Sequence, residues 1–425
     1  MKDLINQRFK KTPLMAWRLI DGVVLLVPIK QPGPEISRLY RLQDPVSATI
    51  WGLVDGERTV QEILQEVCQE FDAEEKRAQR DLLKFLRHLK SIGAIHVATQ
   101  SNGKQGSSKP IAERKSKSQG AKKTLPMESE VKRPLRLSIG GVGFSFQWEE
   151  PREVSWPHPL YEPFLGEESE TIRLDIHFKG GPKLNGQKLL FDGEHHWKLY
   201  QQDSRYLFQA FDPSDRTTNM LSLIHPHFDR AEVYVKPGSS GSPPPWSLLR
   251  LMNPLGQWLL INRLAETGGV MVHALGVDDR GQGRVFVGAS GTGKSTLARF
   301  WHRRKGVRIL SDEHLILRRR GRRFYAYGTP WPGMAARVSQ DPVEIQQIFF
   351  IEHHPEHRCF SESGGILASR LFSQLFLPRW NARIIESGAT LCEQLVQKVQ
   401  CQRLGFAKDP NVIDFVRQVQ PGEKK

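Results

Sequence analysis

The spacing of hydrophobic positions divides the N-terminal part of the chain into strands and helices. The apolar run at residues 23–28 predicts a buried strand, and alternation over residues 38–44 predicts a half-exposed strand. Helical patterns follow at residues 45–56, 59–71 and 73–95. Thr59, with Glu62 three residues later, is typical of a helix-starting capping box. Small strands followed by three helices predict a winged-helix-like α+β domain over residues 1–98.

Residues 99–133 lose this pattern and are rich in Gly, Ser and Lys. Such a segment buries too little apolar surface to offset the entropy of ordering, so we predict a flexible basic linker. A nucleic-acid-binding arm is the alternative. Because aromatic side chains for base stacking are not interleaved with the charges, we do not expect a nucleic-acid partner.

Short alternating runs over residues 134–250 predict a β-rich lobe. From residue 251 to 425, helical and strand patterns alternate, which predicts an α/β domain. Within it, the basic run at residues 318–323 lies between two strand patterns and is predicted to be a hairpin tip. Residues 371–383 and 389–399 are predicted to be closing helices.

A glycine-rich segment joins a strand pattern to a helix pattern at residues 285–300. It matches G-x-x-x-x-G-K-[ST], whose backbone amides hold nucleotide phosphates. We expect Lys294 to contact the γ-phosphate and Ser295 to hold Mg²⁺, which makes ATP and Mg²⁺ the predicted cofactors. The predicted nucleotide-binding residues are Gly288, Ala289, Ser290, Gly291, Thr292, Gly293, Lys294, Ser295 and Thr296.

Candidate catalytic side chains flank this phosphate loop in sequence. An apolar run at residues 307–310 is followed by Asp312 and Glu313. Acids at a strand end beside a phosphate loop hold Mg²⁺ or accept a proton from a nucleophile, and we assign Asp312 to the metal together with Ser295. The sequence leaves open which acid is the general base. Upstream, His273 lies on a strand pattern, where it could sense the γ-phosphate or be a core histidine.

Composition indicates the kind of partner and the cellular compartment to expect for the protein. The net charge of +15 and the pI near 9.7 favour acidic partners. The four cysteines form no C-x-x-C pair, so we expect reduced thiols. We predict neither a signal peptide nor a membrane span, and therefore a cytoplasmic protein.

Residues 40–95 resemble the PqqD family of small peptide-holding domains. The resemblance is carried by the D-G-x-x-T-V-x-E-I core, which is Asp55, Gly56, Thr59, Val60, Glu62 and Ile63. It implies that a leader peptide adds as a strand beside the last helix. The implied peptide-binding residues are Leu39, Tyr40, Arg41, Leu42, Gln43, Arg80, Lys84 and Arg87. A solvated helix face without a partner is the alternative.

The C-terminal region resembles the catalytic domain of HPr kinase/phosphorylase. The matching segments are Val-His-Ala at 272–274, the phosphate loop, Ser-Asp-Glu at 311–313 and YGTPWPGM at 327–334. The resemblance implies phosphorylation of a protein serine, with His273, Lys294, Asp312 and Glu313 as the catalytic residues. This chain departs from the family at Glu313, where the second acid is usually Asp.

Together these patterns predict a multidomain α/β protein. Its parts are a PqqD-type domain at 1–98, a linker at 99–133, a β-rich lobe at 134–250 and an HPr-kinase-type P-loop domain at 251–425. We expect an ATP- and Mg²⁺-dependent serine/threonine kinase that modifies a ribosomally made precursor peptide. A peptide-modifying enzyme encoded nearby and a homo-oligomer are further partners that this function allows. The alternatives are a regulatory kinase acting on a folded partner and an ATP-hydrolysing adaptor that delivers peptides without phosphotransfer.

Overall fold

The computed structural model describes residues 2–13, 15–28, 40–98, 135–148, 159–166, 170–193, 196–212, 216–235, 248–333, 337–378 and 380–419. The chain divides into two compact units. The first unit contains Met1–Thr12 and Ile50–Glu130, and the second contains Pro13–Thr49 and Val131–Lys425. The predicted linker at residues 99–133 lies outside the described residues. The predicted domain boundaries remain predictions.

The N-terminal region contains the strands and the three long helices that its sequence pattern predicts. Its elements are α1 (Lys2–Ile5), β1 (Phe9–Lys11), β2 (Met15–Ile20), β3 (Val23–Pro28), β4 (Tyr40–Leu42), α2 (Pro45–Leu53), α3 (Val60–Phe71), α4 (Glu75–Ser91) and β5 (Ile95–Val97). The capping box is present at α3: the Thr59 hydroxyl accepts from the Glu62 N–H, and the Glu62 carboxylate accepts from the Thr59 N–H.

The first unit is built around α3 and α4. The side chains that α4 buries are Leu82, Leu83, Leu86 and Leu89. Leu82, Leu86 and Leu89 have the i, i+4, i+7 spacing of an amphipathic helix, and Phe85 at i+3 is only partly buried. After α4, Gly93 takes a φ of 70°, and β5 pairs antiparallel with β1.

The middle region forms one large sheet, as its alternating pattern predicts. Its strands are β6 (Leu135–Ile139), β7 (Val142–Trp148), β8 (Glu170–His177), β9 (Lys188–Asp192), β10 (Trp197–Gln202), β11 (Arg205–Phe211), β12 (Thr218–Ile224) and β13 (Arg230–Val235), with a 3₁₀ helix at Pro159–Phe164. Within the described residues the strand order is β6-β7-β8-β13-β12-β11-β10-β9. One face of this sheet buries aromatic and aliphatic side chains, including Phe144, Phe208 and Val233, in a core shared with Trp258 and Leu259.

The C-terminal region is mixed α/β. Its elements are α5 (Leu248–Leu251), a π-helical turn (Met252–Gly256), α6 (Gln257–Glu266), β14 (Gly269–Asp279), β15 (Gln282–Val287), α7 (Lys294–His302), β16 (Val307–Ser311), β17 (His314–Arg320), β18 (Arg323–Tyr327), β19 (Val343–His353), β20 (Arg358–Phe360), α8 (Gly364–Phe372), β21 (Leu375–Phe376), α9 (Ala382–Lys398), β22 (Gln400–Phe406) and α10 (Val412–Gln418).

The long strand β14 organises the C-terminal sheet. Its first half pairs with β17 and β21, and its second half pairs with β15 and β16. Strand β15 also pairs in parallel with β19, which in turn pairs in parallel with β22. The carboxyl ends of β15, β19 and β22 therefore lie at the same end of the sheet. In α/β proteins, ligands commonly bind outside the carboxyl ends of the strands.

One predicted element of this region is wrong. Residues 371–383 were expected to form a helix, but α8 ends at Phe372 and α9 begins only at Ala382. Between them, β21 pairs with Met271 and Val272 of β14. Hydrogen bonding to a distant strand and the ring of Pro378, which lacks an N–H, override the local helical pattern.

Candidate functional site

The predicted phosphate loop joins the end of β15 to the start of α7, and glycine is sterically required within it. Gly291 and Gly293 take φ values of 84° and 104°, a region that other residues rarely adopt. A Cβ on Gly293 would also lie 2.7 Å from the ring of Phe406, and one on Gly288 would lie 2.5 Å from the Thr292 hydroxyl. The backbone of the loop is therefore tightly folded at the N-terminus of a nine-residue helix.

Lys294 lies inside the loop. Its side chain is buried, and Nζ donates to the carbonyl oxygens of Gly288 at 2.6 Å and Ala289 at 3.1 Å. Burial lowers the pKa of Lys294, while the carboxylates of Glu313 and Asp312 oppose this shift. The arrangement places a buried ammonium group against the backbone of the glycine-rich loop.

Asp312 is buried directly beside the start of α7. Its Oδ2 lies 3.4 Å from the Ser295 hydroxyl, and its Oδ1 accepts a 2.8 Å hydrogen bond from the Gly333 N–H. Only 1% of Asp312 is exposed. The contact with Ser295 places a carboxylate oxygen and a hydroxyl oxygen together, and these are ligands that Mg²⁺ prefers.

Glu313 is more exposed than Asp312 and pairs with His273. The Nε2–H of His273 donates to Glu313 Oε1 at 3.0 Å, and 38% of the Glu313 side chain remains exposed. Burial and then the Lys294 ammonium lower the pKa of His273, whereas Glu313 raises it. The backbone is also fixed here, because the Ala274 N–H donates to the Glu313 carbonyl and the His273 N–H donates to the Gln374 carbonyl.

Sequence reasoning missed several residues of this site, including His314. It lies opposite His273 in the β14–β17 pair, and its ring stacks on Phe376 at 4.6 Å. Its Nδ1 lies 3.0 Å from the Trp331 carbonyl, which can only accept, so Nδ1 carries the proton. Burial lowers the pKa of His314, opposed by this hydrogen bond. The GTPW segment at residues 328–331 could have pointed to this part of the site, because it contains Trp331, whose carbonyl accepts from His314.

His353 is a second residue of this site to which the sequence pattern gave no role. The structure continues β19 to His353, since Glu352 and His353 pair with Gly405 and Phe406 of β22. The Nε2–H of His353 donates to the Gly291 carbonyl at 2.9 Å, at the tip of the phosphate loop. The neighbouring loop residues Ala289 and Ser290 are exposed, whereas Thr296 lies half-buried in the first turn of α7.

The sequence-predicted peptide-binding residues fall into two groups, one in each unit. In the second unit, Tyr40, Arg41 and Leu42 form β4, the terminal strand of the sheet β2-β3-β4, and Gln43 follows it. Leu39 lies outside the described residues. In the first unit, the side chains of Arg80, Lys84 and Arg87 are exposed on α4. The assignment of all these residues to peptide binding stays a prediction.

Comparison with known proteins identifies one part of the chain. Residues 23–95 match the sequence model of the PqqD family, described as coenzyme PQQ synthesis protein D, and so form a PqqD-like domain. A solved structure titled "TbiB1 in Complex with the TbiA(beta) Leader Peptide" is 24% identical, with a TM-score of 0.18. That match covers 22% of this chain and 99% of the other. A search of curated proteins finds no match. No helix among the described residues is long and apolar enough to cross a membrane.

Proposed function

We propose that the chain is an ATP- and Mg²⁺-dependent serine/threonine kinase that phosphorylates a ribosomally made precursor peptide. The observation that carries the proposal is the meeting of five side chains at the phosphate loop. These side chains come from three separate parts of the sequence: His273, Lys294, Ser295, Asp312 and Glu313. This set contains a cation, a metal-binding pair and a candidate base, which phosphoryl transfer requires.

The residues at the loop fit a nucleotide with its metal. Glycines at 288, 291 and 293 allow the loop backbone to approach phosphate oxygens, and Ser295 with Asp312 would hold Mg²⁺. Bound ATP would supply the phosphoryl group, with Mg²⁺ neutralising its charge. Lys294 would stabilise the charge that develops on the transferred group.

The contrast between the two acids supports separate roles for them. Asp312 is buried and held by the Gly333 N–H, which suits a fixed metal ligand. Glu313 is partly exposed and accepts from His273, so we assign it to the peptide hydroxyl, whose proton it would accept. His273, with its lowered pKa, would donate as a neutral imidazole and hold Glu313 in position.

The PqqD-like domain supports recognition of a precursor peptide during its maturation. We assign peptide binding to β4, because a terminal strand can accept a further strand through its backbone groups. The exposed Arg80, Lys84 and Arg87 would select acidic leader sequences through their charge. The same proposal implies a separate modifying enzyme that acts on this precursor peptide.

The test uses purified full-length protein, [γ-³²P]ATP, Mg²⁺ and synthetic peptides encoded beside its gene. We expect label on a peptide hydroxyl, abolished in Lys294→Ala and retained in Lys305→Ala, a matched change at an exposed lysine in the same unit. Free phosphate without labelled peptide would instead indicate an ATP-driven adaptor. Absence of both products with every peptide would contradict the proposal.

A further inference from the structure

The hairpin β2–β3 lies in the second unit and shares a buried core with α8 and α9. One face of the hairpin contributes Ile20, Val23 and Leu25 to this core, and the helices contribute Leu371, Phe372 and Ile385. All six side chains are at most 5% exposed. Burial of this kind is the main source of stability in folded domains, so the hairpin is an integral part of the second unit.

Polar and backbone contacts fix the position of the hairpin on these helices. Arg18 of β2 donates from Nη2 and Nε to Glu393 of α9, at 2.8 and 3.2 Å. At the hairpin turn, the Gly365 N–H of α8 lies 3.4 Å from Asp21 Oδ2. A Cβ on Gly365 would lie only 2.2 Å from the Ile20 carbonyl oxygen, so glycine permits this close approach.

The same sheet carries the strand to which we assign peptide binding. Strand β3 pairs antiparallel with β4, with Val24 opposite Leu42 and Leu26 opposite Tyr40. The match to the PqqD family begins at residue 23, so it includes β3 and β4. The strand to which we assign peptide binding therefore pairs directly with a hairpin that is packed into the second unit.

Helix α8 connects the hairpin with the catalytic residues. The helix runs from Gly364 to Phe372, nine residues or about 14 Å, and contacts the hairpin turn at Gly365. Directly after it, the Gln374 carbonyl accepts from the His273 N–H, and Phe376 stacks on His314. The turn of the hairpin, at Asp21, and the backbone of His273 therefore lie near opposite ends of one short helix.

We propose that the β2–β3 hairpin fixes β4, the strand to which we assign peptide binding, on the second unit, which also contains the proposed catalytic residues. The precursor peptide is then presented from a docked sheet at a set position, and the length of the segment at residues 99–133 does not determine delivery. This inference rests on the proposed function for its substrate, but the docking itself does not depend on kinase activity.

Two neighbouring glycines of α8 provide a matched test of the docking in the full chain. A Cβ on Gly364 would lie 3.4 Å from the Asp21 carboxylate, an ordinary contact, whereas Gly365→Ala forces the Ile20 backbone to move. By hydrogen–deuterium exchange, we expect amides of residues 23–27 to exchange about five-fold faster or more in Gly365→Ala. Gly364→Ala should match the wild type. Equal exchange in all three proteins would overturn the docking.

A charge swap covers the case in which Gly365→Ala does not fold. Arg18→Glu should speed exchange in the hairpin, and Glu393→Arg in the same chain should restore it, because the ion pair is re-formed with reversed charges. Failure of the second change to restore slow exchange would count against a fixed contact between β2 and α9.

Insertion of a Gly/Ser segment that triples the length of residues 99–133 tests delivery. If the linker delivered the peptide, the effective concentration would fall and the peptide KM would rise about five-fold. A docked sheet predicts a change of less than about two-fold, and a rise of the first size would overturn the inference. A wild-type protein that labels no peptide would contradict the proposed function, while the exchange experiment would still decide the docking.

Discussion

At the scale of single residues, the two adjacent acids differ in burial and in partners. We expect Glu313→Gln to lower kcat for peptide phosphorylation by about 10²–10⁴-fold with little change in the KM for ATP, because it removes the proposed proton acceptor. Asp312→Asn should instead raise the Mg²⁺ concentration needed for half-maximal activity. Steady-state kinetics with a Mg²⁺ titration measure both. The reverse pattern would assign the two roles the other way round.

Gly293 is the loop residue at which a methyl group should be most harmful. Gly293→Ala would combine a φ of 104° with a 2.7 Å approach to the Phe406 ring. The left-handed conformation alone costs about 1–2 kcal/mol for other residues, so we expect nucleotide affinity to fall at least about ten-fold. Fluorescent nucleotide titration tests this, with Gly180→Ala as a control in open space. Unchanged affinity would show that the loop does not bind nucleotide in this conformation.

The sequence identified these residues only in part. The spacing of the glycine-rich motif predicted the position of Lys294, and the strand end predicted that Asp312 and Glu313 would lie near it. His314 and Phe376 come from other parts of the chain and are brought to His273 by strand pairing, and Gly333 reaches Asp312 through a backbone hydrogen bond. The roles of Lys294, Asp312 and Glu313 stay predictions, and the positions of these other residues beside them could not be derived from the local sequence pattern.

At the scale of elements, the start of α3 is determined locally. Thr59→Ala removes the acceptor for the Glu62 N–H and should destabilise α3 by about 1 kcal/mol. Faster hydrogen exchange at the α3 amides would report this loss, and Thr59→Ser should restore protection because it keeps the hydroxyl. If alanine and serine gave equal exchange, the capping box would not contribute to the stability of the helix.

The local sequence pattern predicted elements whose hydrogen bonds are made to near neighbours, and it failed where a distant strand supplies the hydrogen-bonding partner. The hairpin tip at residues 318–323 is confirmed, because β17 ends at Arg320, Gly321 takes a φ of 60°, and β18 starts at Arg323. By contrast, β21 is only two residues long and forms because β14 supplies its hydrogen-bonding partners. A strand so short has no periodicity of its own to detect.

At the scale of the whole molecule, a buried ion network attaches α10 to the C-terminal sheet. Asp279 of β14 accepts from Arg284 Nη1 at 2.7 Å and from Arg417 Nε and Nη2 at 3.0 and 2.8 Å. Asp279 is 4% exposed. Burial alone would raise the pKa of Asp279, but the Arg417 hydrogen bonds and the Arg284 charge outweigh it and lower the pKa.

This network should make stability depend on pH in the acidic range. Because the pKa of Asp279 is lowered in the folded chain, its contribution is complete above the ordinary value of 3.8 and is lost as pH falls through the folded pKa. We expect Asp279→Asn to reduce the free energy of unfolding by about 3–5 kcal/mol at neutral pH, since the buried guanidinium group of Arg284 and the partly exposed one of Arg417 lose their counter-charge. The difference from wild type should shrink as pH falls below 3.8 in urea titrations. A constant difference would mean that Asp279 does not carry the acid sensitivity.

The sequence by itself determined the features that depend on near neighbours: the capping box of α3, the amphipathic stripe of α4, the alternating strands of the β-rich region and the glycines of the phosphate loop. Each is set by periodicity, backbone sterics or hydrogen bonds within a few residues. Only the tertiary structure decided that the β2–β3 hairpin packs into the second unit and that β21 reaches β14. Both depend on apolar faces and backbone groups far apart in sequence, whose pairing becomes favourable only when the chain has closed around a common core.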